Sequence, residues 1–417
     1  MSPTLVFVDN QPSPLLDALT KRTDLTAVLV RFSDSLPALP HEHLSATKHL
    51  PTFVVDTGRD TATEAERFRA WMAAQGKPVE HFCNSSEARQ DIAQKFARHA
   101  GLPALSAEQV SWVRDKSAMK HKLREIGFQV AAHAVVKAPN DVIGFAADHG
   151  WPVVVKPRDG FACIGAHLVC GEKDVMELGG IDQKPMVVEA YQHGIEYELC
   201  ALFQHGRVLA VFLSSMPERP LAIVDGAMNA NITYREVPSD FPVRPVDVAQ
   251  AVVSGLGLQD GYLHSEFFLH RGRLTFGEVA ARLAGGLIPR NHSLAFGYDV
   301  FDALLDIHVG RVPDLTPTQF RFVGDLVFPA PAGRITKITP LSELLTRSEV
   351  LDGFVRFQPG DVIQPRRHSH FGSAGVHVYG DSVTQVEARM RRLLDDFEIE
   401  TEPAPEPCHS AGHRARS

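Results

Sequence analysis

Short apolar runs alternate with longer amphipathic stretches over the first hundred residues. "TLVFVD" (4–9), "LTAVLVRF" (25–32), "TFVVD" (52–56) and "VEHFC" (79–83) read as strands. "ATEAERFRAWMAAQ" (62–75) is the clearest helix among them. This alternation predicts a parallel α/β domain over residues 1–105. Its first run ends in "VDNQPSP", a strand-to-turn position where open α/β sheets present ligands, although a plain loop would read the same.

A polar helical stretch follows, "SAEQVSWVRDKSAMKHKLREIG" (106–127), with Ser106 as N-cap and Gly127 as terminator, and it reads as one linking helix. From 128 to 200 the pattern changes to strand, helix, strand, a compact α+β unit containing "QVAAHAVV", "APNDVIGFAADHG", "VVVKPRDG", "PMVVEAY" and "IEYELCALF". Residues 201–400 form a larger α+β part with helices at "PVDVAQAVVSGLG" and "DVFDALLDIHVG". Its last stretch, about 320–400, is strand and loop ending in the helix "SVTQVEARMRRLLDDFE". The Pro-, Ala- and Ser-biased end, 401–417, is expected to be a disordered tail. There is no internal repeat.

Composition narrows the partners. With 417 residues, 44% of them apolar, the chain has ample material for several packed units. A formal charge of -8 supplies no basic excess for a nucleic-acid backbone. Five scattered cysteines without a C-x-x-C fit a reducing compartment. No basic leader precedes an apolar run and no 18-residue apolar stretch exists, so a cytoplasmic protein without membrane or nucleic-acid partners is expected.

The chemistry begins at "VVVKPRDG" (153–160), a buried strand delivering Lys156 to its end. A lysine held this way suits a phosphate contact, and the following loop, with Gly160 and Gly165, can bring backbone N–H groups to phosphate oxygens. Taken alone, an edge strand with a solvated lysine is the commoner meaning, and no P-loop pattern is present. Lys116 opens a helical stretch forty residues earlier and offers a second cation. Glu189 ends one β run, and Glu196 starts the next past Gly194. In "HSEFFLHRGRLTFGEVAARLAGG", two strands each carry one glutamate in an apolar run, Glu266 and Glu278, which is costly without cations. A two-residue turn at Arg271-Gly272 would put them on opposite faces, whereas an odd-numbered loop centred on Gly272 would pair them as a hard-oxygen metal site. Arg282 and the Gly285-Gly286 pair follow at a spacing suited to holding a small anionic substrate, and His264 shares the strand face of Glu266. "RRHSHFGSAGVH" (366–377) reads as a polar strand end rather than a metal pair, and "SGLGLQDG" as a helix stop rather than a dinucleotide loop.

The ordered set "DK..MK", "VVVKP..G", "VVEAY..G.E" and "SEF…GEVAARLAGG" resembles the ATP-grasp ligases over about residues 1–310. The resemblance implies a mixed α/β and α+β, three-part ATP-grasp architecture. Its parts are an N-terminal parallel α/β domain, a small α+β lid over 128–200, and a larger C-terminal α+β domain with an extra β subdomain at about 320–400. It implies that Lys116, Lys156, Gly160 and Gly165 contact ATP phosphates, Glu189 and the backbone near Tyr191 the adenine, and Glu196 the ribose. Glu266 and Glu278 would bind Mg2+, with Mn2+ able to substitute. Ala280 stands where many members carry asparagine, which removes one expected contact. The "EVAARLAGG" variant is more similar to the L-amino acid ligases and related carboxylate–amine ligases. This implies an acyl-phosphate route with Lys156 and Arg282 as catalytic groups, and His264, Arg282, Gly285 and Gly286 against the substrate. Carboxylate and amine substrates, amino acids or peptides, are then expected, and family analogy implies a homodimer. A bicarbonate-activating, carboxylase-type enzyme and an ATP-binding regulatory module without turnover remain alternatives.

Overall fold

The computed structural model describes residues 2–403 apart from 182, 240 and 366–371. Among the described residues the strands form four sheets. The first is parallel, β1 (Thr4–Val8), β2 (Thr26–Phe32), β3 (Thr52–Val55) and β4 (His81–Asn84), in the order β3-β2-β1-β4. Its strands are apolar on both faces because helices cover both, as parallel sheets require. One face shares a core with the helix Val300–His308, which locks this layer onto the rest of the chain.

The stretch expected to be one linking helix is two, Ala107–Arg114 and Lys116–Glu125, broken at Asp115. The Asp115 carboxylate accepts from the Ser117 and Ala118 N–H groups, so an acid in mid-stretch acts as a fresh N-cap. It also pairs with Arg158, which ties the second helix to the loop after Lys156.

β5 (His133–Val136), β6 (Val153–Pro157), β7 (His167–Val169) and β8 (Met186–Ala190) form an antiparallel sheet in the order β5-β8-β6-β7, backed by the helix Pro139–His149. The remaining strands are β9 (Ile195–Gln204), β10 (Arg207–Ser215), β11 (Asn229–Thr233), β12 (Gly261–His270), β13 (Arg273–Ala280), β14 (Phe322–Phe328), β15 (Gly333–Ile338), β16 (Val350–Val355), β17 (Val362–Ile363), β18 (Ala374–Gly380) and β19 (Ile399–Glu402). Eight of them make one sheet, β13-β12-β9-β10-β11-β14-β18-β16, and β17-β15-β19 make another. The extra β region therefore divides: β14, β16 and β18 extend the large sheet, and only the small three-stranded sheet stands apart. Residues 401 and 402, expected in a disordered tail, pair with β15 instead. The rest of that tail, from 404, and the His368/His370 stretch lie outside the described residues.

The β12–β13 hairpin has the two-residue turn but not the glutamate placement expected to go with it. Arg271 and Gly272 form a two-residue turn, both with positive φ (49° and 75°), between the paired His270 and Arg273. That twist suits the hairpin and would leave the glutamates on opposite faces. A β-bulge at Gly277 supplies one extra residue, so Glu266 pairs directly with Glu278 after all.

Candidate active site

A cavity of about 660 Å3 opens between the lid sheet β5–β8 and the large sheet. Lys116, Lys156, Gly160, Glu189, Tyr191, Glu196, His264, Glu266, Glu278, Arg282, Gly285 and Gly286 all line it. Gly165 does not; it packs beside Pro157 at the base of the lid loop. The turn after β1 is not part of the lining either, and the N-terminal layer reaches the cavity through Glu87.

The centre is an alternating set of lysines and glutamates. Lys116 Nζ lies 3.0 Å from Glu278 Oε1 and donates to Gly160 O at 2.6 Å. Lys156 Nζ lies 3.3 Å from Glu278 and 3.4 Å from Glu189. Lys120, fully buried one turn after Lys116, reaches Glu189 at 3.3 Å and donates to Gly277 O. Burial alone would lower the Lys156 ammonium, but Glu189 and Glu278 outweigh it and hold its pKa above the ordinary lysine value. Burial would raise Glu278, yet Lys116 and Lys156 keep it well below the usual carboxylate range. Burial prevails at Lys120, whose pKa is lowered despite Glu189. The Glu189 carboxylate thus faces two lysines, and its Oε1 has no hydrogen-bond partner.

Glu266 and Glu278 are each about a quarter exposed to the cavity, an oxygen-only donor pair on adjacent strands that suits a hard divalent cation. Glu266 Oε1 lies 3.2 Å from His264 Nε2. Glu196 is desolvated and faces Glu266, and its pKa is pushed up to about 8. At that end, Arg219 lies over the Tyr191 ring at 4.7 Å, beside Val154, Leu168 and Phe268.

Sequence reasoning missed several residues. Glu87 grips Arg282 through two N–H groups, one at 2.7 Å, and holds Arg114 at 2.8 Å. Lys120 had a signal in its i+4 spacing from Lys116 on one helix face. Glu198 also had one, because residues alternate across a strand and Glu196 and Glu198 share a face. Asn231 on β11 and Asp325 on β14 had none, as only the sheet order brings them into the cavity. Burial, with Glu266 and Asp325 nearby, raises Glu198 well above the carboxylate range, and burial pushes Asp325 up to about 7.

The fold is similar to that of solved ATP-grasp ligases. No family model matches the chain. The chain is 25% identical over 322 residues to the L-arginine-specific L-amino acid ligase of Bacillus subtilis, covering 74% of this chain and 77% of the relative. The crystal structure of the L-amino acid ligase from Bacillus licheniformis superposes with a TM-score of 0.75 at 20% identity, over 96% of this chain and 99% of that one. An ADP complex of N5-carboxyaminoimidazole ribonucleotide synthetase gives 0.70 at 13% identity, over 94% and 96%. Among the described residues, no helix is long and apolar enough to cross a membrane.

Proposed function

We propose that this chain is an ATP-dependent carboxylate–amine ligase that activates an amino-acid or peptide carboxylate as an acyl-phosphate and joins it to an amine. The observation that carries this reading is the single cavity in which Lys116 and Lys156 meet the Glu266/Glu278 pair. Similarity to L-amino acid ligases in both sequence and structure supports it.

A substrate carboxylate oxygen attacks the γ-phosphorus, and the bond to the β,γ-bridging oxygen breaks, releasing ADP. Lys116 and Lys156 offset the negative charge of the phosphates, already oriented by Glu278 and Glu189. Glu266 and Glu278 would hold Mg2+ or Mn2+, which supplies charge neutralisation at the phosphates when bound. The amine nitrogen then attacks the acyl carbon, loses a proton and expels phosphate. Arg282, fixed by Glu87, holds the anionic acyl group or its tetrahedral oxyanion. Glu196 receives the ribose hydroxyls, and the apolar slot at Val154, Leu168 and Phe268 receives the base. The loop 159–166, where Ala162 and Cys163 adopt positive φ, excludes water from the acyl-phosphate. The free thiols of Cys83, Cys163, Cys170 and Cys200 support a cytoplasmic reading, and family analogy supports a homodimer.

The test is phosphate release from Mg-ATP with single amino acids and pairs, followed by mass spectrometry. Amino-acid-dependent phosphate with a product of two substrates minus water supports ligation. Phosphate release that requires bicarbonate and no amino acid would replace it with the carboxylase reading.

A further inference from the structure

Three of the carboxylates lining the cavity have lysine or arginine partners of their own. Glu278 faces Lys116 and Lys156, Glu189 faces Lys120 and Lys156, and Glu87 faces Arg282 and Arg114. Glu198 and Asp325 do not: among the described residues neither has a cation within ion-pair distance, although both are at least 95% buried. Arg282 offsets part of the cost of charging Glu198, and its guanidinium is engaged by Glu87.

These two acids belong to one floor. Glu198 lies across from Ser214, Ser214 across from Thr233, and Asn231 across from Asp325, so strand alternation puts all of them on one face of the large sheet. Glu198, Asn231 and Asp325 line the cavity. Glu198 Oε2 and both polar atoms of the Asn231 amide are buried without a hydrogen-bond partner. Asp325 Oδ2 accepts from Asn291, a neutral donor that in turn contacts His377. Buried polar atoms left unmatched are expensive, so a floor of this kind fits a ligand that arrives with several N–H donors and positive charge.

Resting on the ligase reading, we propose that Glu198, Asn231 and Asp325 form a specificity pocket for a substrate with a cationic side chain, an ammonium or guanidinium. Glu198 and Asp325 act as counter-ions, and the Asn231 carbonyl accepts a further N–H. A neutral side chain of equal length would leave the same atoms unmatched.

The test compares arginine with citrulline and lysine with norleucine on the full chain, by calorimetric binding with Mg2+ and a non-hydrolysable ATP analogue, and by phosphate release with Mg-ATP. At least one cationic member is expected to bind more tightly than its neutral counterpart by about 30-fold, the scale of a charged hydrogen bond. Glu198→Gln and Asp325→Asn are expected to collapse that ratio toward one. Equal binding of cationic and neutral members would overturn the pocket, as would variants that weaken both equally, the mark of an α-ammonium site. Selective binding without phosphate release would leave the pocket standing and remove the ligase reading. Phosphate release with neutral amino acids as efficient as with cationic ones would do the reverse.

Discussion

Glu278 is the residue on which the proposed chemistry converges, because it touches both Lys116 and Lys156 and pairs across the strand with Glu266. Glu278→Gln keeps the shape and removes the charge. Mg-ATP-dependent phosphate release should fall by at least about 100-fold, the scale of losing one electrostatic catalytic contact. The variant should keep a wild-type far-UV circular dichroism spectrum; an active variant would remove Glu278 from the site. Asp325 gives a prediction of its own sign. Burial pushes its pKa up to about 7 from the ordinary 3.8, so the folded chain binds more protons between those values. The associated stability is complete below the unfolded pKa and is lost as pH rises through 4 to 7. The ligand-free wild type should therefore lose more melting temperature between pH 5 and pH 8 than Asp325→Asn does, measured by scanning calorimetry. At this scale Lys116, Lys156, Glu266, Glu278 and Arg282 were legible in the sequence, because a charge at the end of an apolar run is conspicuous. Asp325 and Asn231 were not, since what places them is pairing between strands almost a hundred residues apart.

Local devices decide whether those residues meet. The bulge at Gly277 converts a hairpin of the wrong parity into one that sets Glu266 against Glu278. Deleting Gly277 should flip Glu278 to the far face, and metal-dependent ATP turnover should disappear even if the chain still folds by circular dichroism. Asp115 is a second such device. Asp115→Ala removes the cap of the helix carrying Lys116 and its tie to Arg158, and should cost about 1 kcal/mol of stability. It should also raise the KM for ATP more than it lowers kcat. The turn at Arg271-Gly272 was readable from composition, but the bulge was not, because Gly277 in a strand carries no sign of whether its pairing is regular. The helix Ile288–Phe296 escaped notice for a related reason: Asn291, His292 and Ser293 are buried within it, and an inward polar face erases the amphipathic pattern.

Across the whole molecule, the cavity depends on three layers of the fold. The lid sheet brings Lys156 and Glu189, the large sheet brings the acids, and the parallel layer contributes Glu87 to hold Arg282. The change of pattern near residue 128 was readable, whereas the boundary expected at 200 falls inside β9, a strand of the large sheet. The course of residues 320–400 was not readable, since joining a central sheet and forming a separate one use strands of the same pattern. The measurement that bears most directly on the ligase reading follows an oxygen atom between these layers. With a substrate carboxylate labelled with 18O, attack on ATP and later amine attack should deliver one labelled oxygen per turnover into inorganic phosphate, read by 31P nuclear magnetic resonance. Labelled phosphate in step with product is the expected result. Product accompanied by unlabelled phosphate would contradict activation of the carboxylate as an acyl-phosphate at this site.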